Sequence, residues 1–321
     1  MSTEAGKVQA QREAYGLTLA KLGEEQPEVV VLDADVSKST RTTYFAEKFP
    51  ERFFNFGIAE QNMMAAAAGM AACGLIPFVN TFSFLATFRA ADQFWTSVVY
   101  PGLNVKVAAS YGGVSDSYDG PTHQSITDIA WVRSLPNLVV VVPADAVEVE
   151  KALPVLARYP GPVWLRLARV ATPIINGDEF QFHLGRAVVY REGRDVALIG
   201  CGVILYRVLE AARLLEDEGI RATVLSISTL KPLDKMAIID AARQTGAIVT
   251  CEEHNVLGGL GAAVCETVCD VYPVPVTRLG FCDTFAESGG YDELLDKYGL
   301  SIEMIAETAK KMVQIKLKQG G

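Results

Sequence analysis

The chain has 321 residues, of which 50% are hydrophobic and 21% charged, with a formal net charge of -9. That length supports a large buried core and favours two domains, while an acidic balance with no basic stripe argues against nucleic-acid binding. No apolar run is long enough to span a bilayer, and residues 1–11 are polar, without a signal-peptide apolar region. The six cysteines show no Cys-x-x-Cys spacing and read as reduced core residues of a cytoplasmic protein, and three scattered histidines argue against a zinc site.

In chain order, short and nearly all-apolar runs at residues 29–32, 76–80, 105–109, 138–142 and 163–167 predict strands of a parallel sheet covered on both faces. Helices are predicted between them near residues 7–24, 59–72, 88–98 and 145–158, the last starting at Asp145 after Pro143. The pattern breaks over residues 171–182, where Thr-Pro and Asn-Gly-Asp precede a polar–aromatic alternation. A second, smaller alternation follows, with strands at 195–200, 222–227, 247–252 and 274–279. Its helices fall at 203–217, 234–244, 259–271 and from 301. The chain is therefore read as α/β, with a first domain at 1–172, a linker at 173–186 and a second domain at 187–321. The lysines of residues 310–318 are read as the solvated face of the last helix.

Four groups of residues bear chemistry. Glu60 is a lone acid between an apolar approach and a helix of small residues. A carboxyl removed from water tends to stay protonated and can donate a proton, whereas an acid at a helix N-terminus is also favoured by the dipole alone; the residues leave both readings open. The small residues that follow permit close helix packing at a subunit interface or are simply good helix formers. Phe82, with Leu85 and Phe88, follows a strand end, where an aromatic either stacks on a planar ligand or packs in the core. Asp119 and His123 lie in the Gly/Pro-rich loop Asp119-Gly120-Pro121-Thr122-His123-Gln124, preceded by Tyr111-Gly112-Gly113. Arg12, Ser39, Thr40, Arg166 and Arg169 are separated groups able to bind an anion, each an ordinary solvated residue when taken singly.

In this order these segments resemble the C-terminal half of transketolase across essentially the whole chain. The markers are Leu32-Asp33-Ala34-Asp35 with Ser37-Lys38-Ser39-Thr40, Gly57-Ile58-Ala59-Glu60-Gln61-Asn62, Thr81-Phe82, the Asp119–Gln124 loop and Val142-Pro143-Ala144-Asp145. Glu252-Glu253-His254 and Gly258-Gly259-Leu260-Gly261 add to them in the second domain. The resemblance implies two three-layer α/β/α domains: a pyrimidine-binding domain with a parallel sheet, then a smaller, mostly parallel transketolase C-terminal domain. It implies thiamine diphosphate as cofactor and transfer of a two-carbon ketol unit from a ketose phosphate or related ketose to an aldose. Glu60 then matches the glutamate that bonds the cofactor's pyrimidine N1′ and activates it, Phe82 the ring stacked on the pyrimidine, with Leu85 and Phe88 nearby. Asp35 matches an acid near the thiazolium. Asp119 and His123 match contacts to the sugar, His123 at the donor's carbonyl end, and Arg12, Ser39 and Arg169 match anchors for a terminal phosphate.

The chain holds no Gly-Asp-Gly, the family's diphosphate and metal segment. The resemblance therefore places the Mg2+ ligands on an N-terminal partner subunit, in an α2β2 assembly. Two departures stand out: Tyr111 occupies a substrate position where many transketolases have histidine, and Ser117-Tyr118 stands where they have Gly-Glu. Tyrosine is bulkier and carries no positive charge, which points to a shorter, branched or sulfonated sugar. The rival readings are the β subunit of a 2-oxoacid dehydrogenase first component, a 1-deoxyxylulose 5-phosphate synthase (normally one longer chain) and a catalytically silent partner subunit. Glu252, Glu253 and His254 are read as helix capping and interface packing.

Overall fold

Strands that bury every residue, as Val29–Asp33, Lys106–Ser110 and Val163–Leu167 do, need cover on both faces, and parallel pairing with crossover helices supplies it. A computed structural model describes residues 7–319 of the chain; most of the polar stretch read at residues 1–11 lies outside the described residues. Seven strands form the first sheet, in the order Thr229–Lys231, Val139–Val141, Val163–Leu167, Lys106–Ser110, Ile76–Phe82, Val29–Asp33, Phe53–Asn55. All pair in parallel except the first, which belongs to the second half of the chain and joins antiparallel to Val139–Val141. The second sheet runs Val276–Phe281, Ile248–Asn255, Val196–Cys201, Ala222–Ser226, Val188–Arg191, parallel but for the last strand. The expected α/β architecture, parallel first and mostly parallel second, is the architecture observed.

The two halves share one continuous hydrophobic core. Val140, Val142 and Trp164 of the first sheet pack in the same buried cluster as Ile199, Leu225, Leu230 and Leu260 of the second half. The segment read as a linker is tied to the first half: Ala171–Pro173 pairs antiparallel with Val8–Ala10, and Phe180 and Phe182 bury beside Tyr15 and Leu19. The alternating aromatics there serve as core residues rather than spacers. The first helix accordingly starts at Gln11, not at residue 7. The helix expected at 88–98 begins earlier, as Ser83–Phe88 directly after the strand, and continues as Ala91–Gln93 and a π-helical turn over Phe94–Val99. Strands Phe53–Asn55, Thr229–Lys231 and Val188–Arg191, three to four residues each, carry too little pattern to be read from sequence.

All six cysteines are free thiols, but only Cys201 and Cys251 are buried; Cys73, Cys269 and Cys282 are exposed near element ends. No helix among the described residues is long and apolar enough to cross a membrane.

Asp145 caps the helix Ala146–Arg158 by accepting from the Glu148 N–H (2.8 Å), while Glu148 Oε2 accepts from the Ala144 N–H (2.6 Å). The second oxygen of Asp145 accepts from Ile175 and Asn176, each at 2.8 Å, and so pins the chain as it leaves the first domain. Asp145→Ala leaves three donors at this buried corner without their acceptor, and is expected to lower unfolding free energy by about 3–5 kcal/mol in urea titration.

Candidate active site

Phe82, Ser110 and Leu167 stand side by side in register at the carboxyl edge of the first sheet, so the chain leaving each strand enters the same region. That edge is where open α/β sheets bind ligands. Tyr111 follows Ser110 at once, with φ +65°, a conformation that costs a non-glycine residue energy and persists only where the surroundings hold it. Its ring packs on Phe82 with centroids 4.4 Å apart, and His123 meets the Phe82 ring edge-on at 6.3 Å.

Arg12 arrives from the first turn of helix Gln11–Glu25, which runs antiparallel to the strand it feeds and so begins at this edge. Its Nη1 donates to Tyr111 Oη (2.8 Å) and to the Ser39 carbonyl (3.2 Å). Arg169, two residues past its strand, lies over the Tyr111 ring at 5.3 Å and pairs with Asp116, with Asp119 at 3.7 Å. The structure thus gathers Phe82, His123, Arg12, Ser39, Arg169 and Asp119 around Tyr111. Burial and then the neighbouring Asp119 push the Asp116 carboxyl up to about 6, against the pull of Arg169.

Glu60 opens the helix Glu60–Ala72 with its side chain 1% exposed. It is not the lone charge that its neighbours in sequence suggest, because Arg89 Nη1 donates to both of its oxygens at 2.9 Å. Phe88 is exposed and packs tilted against Phe84, centroids 5.1 Å apart, and Leu85 is half-buried. Asp35 is exposed at φ +64°, its N–H donating to Asn55 Oδ1 (3.2 Å), while Asp33 below it is buried and bonded by Thr40 and Thr42. Among the described residues no hydrogen bond or ring contact links Glu60, Phe88 or Asp35 to the Tyr111 cluster. The helix Glu60–Ala72 leaves Gln61, Ala65 and Gly69 exposed, and Ile58, Phe88, Trp95 and Tyr100 add apolar surface in neighbouring segments.

Arg166 is no anion site. It is buried within its strand, its Nε donating to Asp128 (2.7 Å) and its Nη2 to the carbonyls of Ser125 (2.8 Å) and Glu253 (3.0 Å). Burial works to lower its pKa, but Asp128 and Glu253 carry it above the usual value. Glu253 reaches from the second half, accepting from the Val114 N–H (2.7 Å) and the Tyr291 hydroxyl (2.8 Å). Burial pushes the Glu253 carboxyl up to about 7. The backbone comes so close here that a Cβ on Gly112 would lie 2.6 Å from Arg166 Nε, and one on Gly113 2.2 Å from Glu253 Oε1. Glu252 caps the helix Leu260–Val271, accepting from Leu260 (2.6 Å) and Gly261 (2.8 Å). His254 packs between the halves, its Nε2 accepting from the Ala130 N–H (3.3 Å).

Arg89, Asp116 and Asp128, the partner of Arg166, are site or supporting residues that sequence reasoning missed. A lone arginine in the apolar run Ser83–Phe88 and its sequel was the one available signal for Arg89; nothing local marks Asp116 as buried.

An open parallel sheet with polar and aromatic groups gathered at its carboxyl edge, continuous in its core with a second α/β sheet, is an architecture in which α/β proteins place ligands. The chain belongs to the transketolase family: residues 7–174 match the transketolase pyrimidine binding domain and residues 185–305 the transketolase C-terminal domain. Over 95% of its length it is 37% identical to the 6-deoxy-6-sulfo-D-fructose transketolase subunit of Clostridium sp. (strain MSTE9), covering 95% of that protein. Over 97% it is 36% identical to an apulose-4-phosphate transketolase subunit of Phocaeicola vulgatus, covering 99% of it. A solved split gene transketolase, an inactive beta4 tetramer, superposes with a TM-score of 0.88 at 45% identity, over 96% of this chain and 99% of that one.

Glu253 gives a pH test of how the two halves are joined. Its folded pKa, near 7, lies above the ordinary 4.5, so the folded chain binds this proton more tightly than the unfolded chain. Stability from this group is therefore full below about pH 4.5 and is lost as pH rises through 7. Glu253→Gln, which keeps an acceptor for Val114, is expected to flatten that fall in urea midpoints measured from pH 5 to 8.

Proposed function

We propose that this chain is the C-terminal subunit of a split transketolase, moving a two-carbon ketol unit from a ketose phosphate or related ketose to an aldose. Its partner is an N-terminal subunit carrying the Gly-Asp-Gly site for the cofactor's diphosphate and Mg2+, the two assembling as α2β2 in the cytoplasm. The observation that carries the reading is Glu60: a carboxylate 1% exposed at a helix start, on a family match to the pyrimidine binding domain. A buried carboxylate is expensive unless paired, and Arg89 supplies that pairing here, so the weight of the reading falls on the family match at this position.

The residues present fit the pyrimidine half of thiamine diphosphate. Glu60 offers a carboxylate to a ring nitrogen, Phe82 a half-buried aromatic face, and Leu85 and Phe88 an apolar flank. Arg89 uses two of the roughly four acceptor positions on Glu60, which leaves room for a ring N–H beside it. The diphosphate and Mg2+ sites are assigned to the partner because this sequence carries no Gly-Asp-Gly segment. Bound here, thiamine diphosphate supplies the carbon nucleophile and the electron sink for breaking the ketose C–C bond.

The chain's own groups then divide the remaining tasks. Glu60 holds a proton at the pyrimidine nitrogen, and Phe82 orients the ring by stacking. His123, edge-on to Phe82 and bonded to Thr122 Oγ1 (3.0 Å), faces the sugar's carbonyl end as the catalytic acid–base candidate. Asp119 meets sugar hydroxyls, and Asp35 lies at the thiazolium side. Arg12, Ser39, Tyr111 and Arg169 meet the far end of the sugar, and the bulk of Tyr111 favours a shorter, branched or sulfonated one. The exposed apolar surface of Ile58, Phe88, Trp95 and Tyr100 is where a partner subunit closes the site.

Reconstitution tests this directly. The chain is mixed with a Gly-Asp-Gly-containing subunit, Mg2+ and thiamine diphosphate, and two-carbon transfer from a panel of ketoses is followed. Turnover is expected only in the mixture, and Glu60→Gln is expected to cut it at least about 100-fold while leaving folding intact. Decarboxylation of pyruvate without ketol transfer would move the chain to the 2-oxoacid dehydrogenase class. Full activity of the Glu60→Gln complex would make it a silent subunit.

A further inference from the structure

The loop that carries Asp119 and His123 belongs to the first half by sequence, but its foundations lie in the second. Its two roots, Val114 and Ile126, are buried in a hydrophobic cluster whose other buried members, among them Phe281, Ala286 and Leu295, all come from the second half. The backbone is tied in the same direction. The Val114 N–H donates to Glu253 Oε1 (2.7 Å), and the Asn255 N–H donates to the Ile126 carbonyl (2.7 Å).

Between those roots one buried side chain holds the tip. Gln124 Nε2 donates to the Ser117 carbonyl across the loop (3.2 Å) and to the Glu287 carbonyl of the second half (3.0 Å). The Ser117 carbonyl also accepts from the Gly289 N–H (3.2 Å), so both ends of the tip are fastened to residues 287–289. Gly120, in the tip at φ +78°, runs so close to the second half that a Cβ there would lie 2.6 Å from Ser288 Oγ. The first half holds the same side chains more loosely. Arg169 comes to 3.7 Å of Asp119, beyond hydrogen-bond range, and Phe82 meets the His123 ring edge-on at 6.3 Å. Groups that bind a substrate must be held close to their productive geometry by the residues behind them, and a loop left free pays its ordering on binding.

We propose, resting on the transketolase reading above, that Gln124 is a positioning residue for the sugar: by fastening the loop to residues 287–289 it sets where Asp119 and His123 stand. The second half, which contributes no side chain to the proposed site, then governs sugar binding through this one amide. Gln124 itself touches neither sugar nor cofactor in this role and acts through the loop. Cofactor binding, which rests on Glu60 and Phe82 elsewhere on the first half, is independent of it.

Two variants and two measurements test the proposal. Gln124→Met keeps the length of the side chain and removes its donors, and Gln124→Glu keeps the shape and turns the donor into an acceptor facing two carbonyls. The first measurement is amide hydrogen exchange in the full chain by itself, which needs neither partner nor sugar. The amides of His123 and Gln124, bonded to the Gly120 carbonyl, and of Gly289 report on the tip. They are expected to exchange about tenfold faster or more in both variants, while strands Lys106–Ser110 and Val163–Leu167 keep their protection. The second is made on the assembled complex. KM for the ketose donor is expected to rise about tenfold or more, with the Kd of thiamine diphosphate by calorimetry held within about twofold. Wild-type exchange at the tip in both variants overturns the proposal, and so does faster exchange with an unchanged KM. Joint loss of cofactor affinity and of protection in the strands overturns it as well, by making Gln124 a residue of general stability. Failure of the wild-type complex to transfer two carbons from any ketose would instead defeat the transketolase reading, and the exchange rates would still decide whether Gln124 fastens the loop.

Discussion

A guanidinium buried in the middle of a sheet is the constraint on which the rest of this site hangs. Arg166 stays charged there because Asp128 faces its Nε and two carbonyls, of Ser125 and Glu253, take the hydrogens of its Nη2. Those two carbonyls come from opposite halves of the chain, so satisfying one side chain fixes the loop before Ser125 against the strand that ends near Glu253. The Glu253 carboxylate then reaches back to Val114. Between these two groups the backbone of Gly112 and Gly113 passes with no room for a Cβ on either. Tyr111 is left at a positive φ at the head of this turn, with its ring held by Phe82 on one side and by two arginines on others. The strain is local, and the buried network overdetermines it.

The arrangement keeps two kinds of buried acid apart. Glu60 pairs with an arginine that is 45% exposed, in the stretch of chain that also carries the exposed Phe88 and Trp95. Glu252, Glu253 and Asp128 are locked to backbone donors and to Arg166 in the interior, where their task is to position elements. Buried carboxylates in this chain are thus read by what neutralises them. Glu60 shares its charge with a solvent-reached partner, whereas Asp128 shares its own with one that is itself buried.

Much of the fold was legible because parallel strands buried on both faces are unbroken apolar runs, as in residues 105–109 and 163–167. What escaped was structure whose cause lies far along the chain. Thr229–Lys231 is a strand only because Val139–Val141 is there to pair with it. Val8–Ala10 is extended, not helical, because Ala171–Pro173 comes back beside it. The candidate site shows the same division. Motif residues such as Glu60, Phe82 and His123 were readable where they stand. The partners that set their environment, Arg89 on Glu60 and Asp116 on Arg169, are contacts that no local spacing announces. Arg166 was misjudged for the same reason, since its neutralising Asp128 lies 38 residues away.

The strand Thr229–Lys231 also bears on how the chain can be divided. It closes the edge of the first sheet with residues that belong, by sequence, to the second half, and Leu230 sits in the core that both halves share. Cut between residues 174 and 185, the first half would keep Val139–Val141 as a naked, all-valine edge with free backbone donors and acceptors. Such an edge templates pairing with another copy. The boundary between the two family matches is therefore a boundary of homology and not one of autonomous folding: the second half covers an edge that the first half cannot cover itself.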